Sequence, residues 1–271
     1  MYPKAILFDL DDTLFDHRRA SLLALQVMHA EFAHAIDFDA FAEKHHEVLE
    51  EFHRQFLIGK FTLEQARIAR MKVLFNAFDR EVDDGLAARA AGVYREQHQA
   101  NRALLPGARA LLEALHTEAR LGIVTNNSTV EQHEKLRALD IAHYFDTIVI
   151  SEDVGVSKPD PRIFGIALER IGAEAHEAVL VGDNWHNDVQ GALKAGMAAV
   201  WLNRDNQTQA LERSSGHFSS ETPADSGVCQ FCAVEIGSLE PLHGTLAAIK
   251  KAFIKRTPGV THNEQLETLA S

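Results

Sequence analysis

Residues 5–14 read Ala5-Ile6-Leu7-Phe8-Asp9-Leu10-Asp11-Asp12-Thr13-Leu14. Apolar residues in a row, β-branched and aromatic members among them, fit a strand buried on both faces of a parallel sheet. This strand runs into acids. In open α/β sheets the carboxyl ends of strands hold the ligand, so Asp9 and Asp11 stand where chemistry is done. Strand residues alternate, which predicts both carboxylates on one side with Leu10 between them. Close carboxylates repel, and one takes a proton unless a cation intervenes. The pair is destabilising as structure and useful as chemistry.

The pattern changes after Leu14. From about Asp16 to about Arg102 apolar residues fall at helical spacing, as in Leu22, Leu25, Met28 and Phe32, then Phe41, His45, Val48 and Phe52. Thr62 followed by Gln65 is a capping-box signature for a further helix through Met71 and Phe75. Gly59 and the stretch 79–85 supply breaks.

From Leu105-Pro106-Gly107 onward, helices and strands alternate. Helices are predicted near 108–116, 130–139, 161–171 and 188–195, and strands at 121–124, 147–150, 178–181 and 199–202. Asp160-Pro161 supplies an N-cap with first-turn proline, and Gly196 a helix stop. Such alternation implies right-handed crossovers and a doubly wound parallel sheet. The expected organisation is an α/β core from residues 1–15 and 103–254, a helical insert at 16–102 and a disordered tail at 255–271. Within the core, 205–227 reads as a surface loop, 228–236 as an edge strand and 242–253 as a helix.

Three further strands end in polar residues. They lead into Thr125-Asn126-Asn127, through Ser151–Ser157 to Lys158, and into Gly182-Asp183-Asn184 with Asp188 beyond. A parallel sheet gathers these tips on one edge. The inventory suits phosphoryl transfer. Asp9 can attack phosphorus and form an aspartyl phosphate. Asp9 and Asp183 offer oxygens to a hard divalent cation. Thr125 and Lys158 can hold non-bridging oxygens. Asp11, protonated beside an ionised Asp9, can give its proton to the leaving alcohol and later take one from water.

These residues resemble the haloacid dehalogenase-like (HAD) hydrolase superfamily. Its four motifs correspond to Asp9-Leu10-Asp11-Asp12-Thr13, Thr125, Lys158, and Gly182-Asp183 with Asp188, and their order and the insert after the first motif correspond too. The resemblance implies a Rossmann-like core with an α-helical cap and Mg²⁺ as cofactor. Asp9 is then the nucleophile and a metal ligand, and Asp11 the acid/base that also lends its backbone carbonyl to the metal. Asp183 is a direct ligand, Asp188 orients a metal-bound water or Lys158, and Thr125, Asn126 and Lys158 hold phosphate. Dehalogenases of the superfamily look different at the position of Asp11, which favours a phosphatase. The stretch from Ile150 to Phe164 is similar to the branch holding pyrimidine 5'-nucleotidases and N-acylneuraminate-9-phosphatases. The implied activity is a Mg²⁺-dependent phosphatase of small phosphorylated metabolites. A phosphomutase of the β-phosphoglucomutase type and a catalytically idle binding protein are the alternatives.

The bulk properties agree. A formal charge of -12 over 271 residues argues against nucleic acid or an anionic membrane as partner. No stretch reaches the roughly 18 apolar residues of a membrane span, and no signal peptide is read before the first strand. With Cys229 and Cys232 the chain's two cysteines, no disulfide framework is expected and the cytoplasm is the default compartment. That CxxC pair reads as structural, since a zinc site needs about four ligands. His17, His45 and His98 read as solvated or packing residues, and Asp12 and Asp16 as structural or cap contacts. Substrate identity and oligomeric state are left open at this level.

Overall fold

The computed structural model describes residues 3–205, 207 and 233–246. Six parallel strands form one sheet: β1 (Ala5–Phe8), β2 (Arg120–Thr125), β3 (Thr147–Ile150), β4 (Ala178–Gly182), β5 (Ala198–Leu202) and β6 (Ala233–Ile236). Their order is β3-β2-β1-β4-β5-β6. The chain steps outward from β1 to β3, then returns to place β4 on the other side of β1. That reversal opens a crevice beyond the carboxyl end of β1.

The alternation of β1 divides the core. Ile6 and Phe8 pack with Leu112 of α5 (Ala108–Leu115) and Leu136 of α6 (Thr129–Ala138). Ala5 and Leu7 pack with Ile163, Phe164 and Ala167 of α8 (Pro161–Ile171). Both faces are covered, which is why these strands read as continuous apolar runs.

Between β1 and α5 lie four helices, α1 (His17–Phe32), α2 (Phe38–Leu57), α3 (Leu63–Asn76) and α4 (Asp84–Ala100). Asp16, Asp37, Thr62 and Asp83 cap their N-termini, and Thr62 with Gln65 completes the expected capping box. These helices bury an apolar cluster of their own, including Met28, Phe41, Met71, Leu74 and Phe75.

Some elements differ from the sequence reading. Ser151–Val154 forms a short helix α7, to which the sequence reading assigned no element. The helix expected from about 188 begins at Trp185 as a π-helical turn through Gln190, then continues as α9 (Gly191–Lys194). Asn184 starts it early, because its side chain accepts from the Asn187 N–H at 2.9 Å. Residues 242–246 are helical. Residues 206 and 208–227 of the expected loop, Cys229, Cys232 and the tail at 255–271 lie outside the described residues. Among the described residues no helix is long and apolar enough to cross a membrane.

Candidate active site

Strand β1 ends at Phe8, and the Asp9 N–H still bonds the Val181 carbonyl at 2.9 Å. The chain then turns sharply: the Leu10 carbonyl accepts from the N–H groups of Leu14 and Phe15 at 3.0 and 2.9 Å. Extended alternation therefore stops before Asp11. The two carboxylates are not left facing each other; each has its own cation. Lys158 Nζ lies 2.6 Å from Asp9 Oδ1, and Lys135 Nζ lies 2.6 and 2.8 Å from the two oxygens of Asp11.

Lys158 is buried, and its ammonium also donates to Asp188 Oδ1 at 2.6 Å. Asn126 fixes its main chain, donating from Nδ2 to the Lys158 carbonyl at 2.9 Å and accepting from the Lys158 N–H at 2.8 Å. The Asn126 carboxamide is thus spent on positioning Lys158. Asp188 Oδ2 accepts from the Asn184 N–H at 3.0 Å. Gly182 makes room for it, since a Cβ there would sit 2.4 Å from Asp188 Cγ. Trp201 Nε1 holds the Asp183 carbonyl at 2.8 Å. One carboxylate oxygen each from Asp9, Asp183 and Asp188 gather within 4.8 Å of one another.

That cluster is electrostatically unfinished. Burial lifts the Asp9 carboxyl to about 7, against the pull of Lys158 and with the push of Asp188. Burial, then the charges of Asp188 and Asp9, lift Asp183 to about 8. Burial would lower the Lys158 ammonium, but Asp188 and Asp9 raise it above its ordinary value. Asp9 and Asp183 resist ionisation beside each other, and their oxygens with that of Asp188 fit a hard divalent cation, which supplies the missing positive charge.

Asp11 is biased the other way. Burial would raise its carboxyl, but Lys135, His17 and hydrogen bonds from Lys135 and Gln132 hold it well below the ordinary carboxylate range. The expectation of a protonated Asp11 beside an ionised Asp9 is reversed in this arrangement, and Lys135 is the reason. Gln132 Nε2 donates to Asp11 Oδ2 at 3.2 Å and to Thr125 Oγ1 at 2.7 Å, leaving the Thr125 hydroxyl its own proton to donate. Sequence reading missed Gln132 and Lys135. A signal existed: they sit three apart, with Leu136 next, on the buried stripe of α6, where apolar residues belong.

A cavity of about 270 Å³ opens from these strand tips toward the helices, at the small end of small-molecule sites. Its core wall includes Asp9, Asp11, Thr125 and Lys158; its helical wall includes His53, Phe56, Arg70, Tyr94 and His98. His17 and His98 also reach it, their ring nitrogens 3.2 Å apart. Burial holds His17 neutral, to about 4, and His98 to about 2. They had read as solvated or packing residues; they line the cavity because Phe15 and Tyr94 pack against their rings. His45 packs on Tyr94 as expected. Asp16 caps α1 and Asp12 accepts from the Arg18 N–H at 3.0 Å, both structural contacts; burial lifts Asp12 to about 6.

An acid-tipped doubly wound sheet with a helical insert over its crevice defines a class of α/β hydrolases. Residues 3–196 match the haloacid dehalogenase-like hydrolases, and the chain belongs to that family. It is 34% identical over 203 residues to a glyceraldehyde 3-phosphate phosphatase from Pyrococcus abyssi, covering 73% of this chain and 81% of that one. It is 43% identical over 106 residues to the pyrimidine 5'-nucleotidase YjjG from Escherichia coli, covering 39% of this chain and 47% of that one. The magnesium-bound crystal structure of the HAD-hydrolase YfnB from Bacillus subtilis superposes with a TM-score of 0.70 at 27% identity, covering 91% of this chain and 99% of that one.

Proposed function

We propose that the chain is a Mg²⁺-dependent phosphatase that hydrolyses small phosphomonoesters through an aspartyl phosphate on Asp9. The carrying observation is the meeting of Asp9, Asp183, Asp188 and Lys158 at one end of the cavity that Asp11 and Thr125 also line. Phosphatase names among the relatives support the reading.

In the first step Asp9 Oδ attacks phosphorus as the bond to the leaving oxygen breaks. Lys158 Nζ and the Thr125 hydroxyl bind the non-bridging oxygens as charge develops on them. The leaving alcohol takes a proton from Lys135 Nζ, which lies on the Asp11 carboxylate, and the Asp11–Lys135 pair is left one proton short. In the second step Asp11, ionised as its contacts hold it, takes a proton from water that attacks the aspartyl phosphate, and free phosphate leaves. Asp9, Asp183, Asp188 and the Asp11 carbonyl would hold Mg²⁺, which when bound neutralises phosphoryl and carboxylate charge. The insert, α1–α4, acts as the cap that shields the reaction from bulk water. A dehalogenase has no leaving alcohol to protonate and so leaves Asp11 without a task.

The test is phosphate release from p-nitrophenyl phosphate with Mg²⁺, and its loss in EDTA. Undiminished turnover in EDTA overturns the metal's role; no release with Mg²⁺ from this or any small phosphate ester overturns the reading. Stability gives a second readout. Carboxyls whose folded pKa is raised stabilise the fold at low pH and lose that contribution as pH climbs from about 4 through the raised values of about 7 and 8. Mg²⁺ is therefore expected to raise Tm more at pH 8 than at pH 5.5.

Lys135→Met tests the proton's source. General acid catalysis contributes roughly 10²–10⁴-fold, and alkoxide leaving groups depend on it more than p-nitrophenolate. The substitution is expected to slow alkyl phosphates at least about tenfold more than p-nitrophenyl phosphate. Equal slowing of both would assign Lys135 to structure alone.

A further inference from the structure

Most cations around the cavity have carboxylate partners. Lys158 has Asp9 and Asp188, Lys135 has Asp11, and Arg67 and Arg95 share Glu131 at 2.5 and 4.0 Å. Arg70 is different. It projects from α3, is only 8% exposed, and lines the same cavity. Among the described residues no carboxylate lies within 4.0 Å of its guanidinium, and its Nε has no hydrogen-bond partner. Its neighbour is the Tyr94 ring, 5.0 Å below the guanidinium carbon.

A cation–π contact offsets only part of the desolvation of a buried guanidinium. Arginine cannot shed its proton to escape that cost. The nearby imidazoles of His45 and His53 are driven by burial toward the neutral form, and an imidazole carries no negative charge in either protonation state. The missing partner is therefore sought in what occupies the cavity. The transferred phosphoryl group belongs at the Asp9 end on the core wall, while Arg70 stands on the helical wall.

We infer that the leaving group carries a second anionic group, a carboxylate or a second phosphoryl group, which Arg70 receives at the helical wall of the cavity. The inference rests on the phosphatase reading and narrows its substrate class. Planar guanidinium suits either oxyanion through paired N–H donors, and the two sources are separable by experiment.

Binding, not turnover, is the direct test. Asp9→Asn protein with Mg²⁺ is titrated calorimetrically with 3-phosphoglycerate and with glycerol 3-phosphate, which differ in a carboxylate replacing a hydroxymethyl group. A second pair is propane-1,3-diyl bisphosphate and 3-hydroxypropyl phosphate. A charge-assisted contact predicts roughly 10- to 100-fold tighter binding of the doubly anionic member of one pair. Arg70→Gln in the same background brings that ratio to about one, and Arg70→Lys retains part of it. The pair showing the larger ratio identifies the anion. Equal affinities within both pairs overturn the inference, even if the native enzyme releases phosphate. No phosphate release overturns the catalytic reading, even if the affinities differ. Should Arg70→Gln fail to fold, the ratios of the Arg70-containing protein and of Arg70→Lys still decide.

Discussion

Asp9→Asn is expected to lower phosphate release by at least about 10⁴-fold while leaving the fold intact. An amide is isosteric with the carboxylate but is no nucleophile towards phosphorus. Folding tolerates a neutral group here, because burial and Asp188 already lift the Asp9 carboxyl to about 7. Lys158 keeps its second partner, Asp188, at 2.6 Å. Without metal, Tm is therefore expected to stay level or rise slightly. With Mg²⁺ the gain in Tm shrinks, since one of three clustered oxygens is gone. Residual turnover above about one per cent would take the nucleophile's role away from Asp9.

Much of this arrangement is legible in the chain. Continuous apolar runs at 5–8, 148–150 and 178–181 announce doubly covered strands, and Asp160-Pro161 and Thr62-x-x-Gln65 announce helix starts. Asp9, Thr125, Lys158 and Asp183 are legible because a parallel sheet brings its carboxyl tips together whatever their separation in sequence. The charge state of Asp11 is not. It depends on Lys135, 124 residues away, whose burial no local pattern carries. Nor is it legible that the Asn126 carboxamide brackets the Lys158 main chain. The cavity's helical wall was illegible for a related reason. Arg70, Tyr94 and His98 come from two helices, and packing at the level of side chains decides which of their faces meet.

Lys158→Met is expected to damage stability and rate together, and the two losses can be separated. Its ammonium lies between Asp9 and Asp188, both buried, at 2.6 Å from each. Breaking a buried ionic contact by removing one partner costs about 3–5 kcal/mol, because the other charge is stranded. Here two are stranded, but Asp9 can take up a proton near neutral pH, so the lower part of that range is expected. For a chain of this size this corresponds to a fall in Tm of roughly 6–12 °C. The catalytic loss is independent: a preorganised donor at a developing oxyanion is worth about 10²–10³-fold in kcat. Adding Asp9→Asn to Lys158→Met removes one stranded carboxylate, so the double variant should recover several degrees of Tm and no activity. The coupling is read from the four Tm values of this cycle. Additive losses would mean that Lys158 and Asp9 do not act as a pair, and that Asp188 alone explains the burial of Lys158. Mg²⁺ should raise the Tm of Lys158→Met more than that of the native protein. The carboxylates of Asp9, Asp183 and Asp188 then share no close lysine, and the divalent ion is left to balance all three.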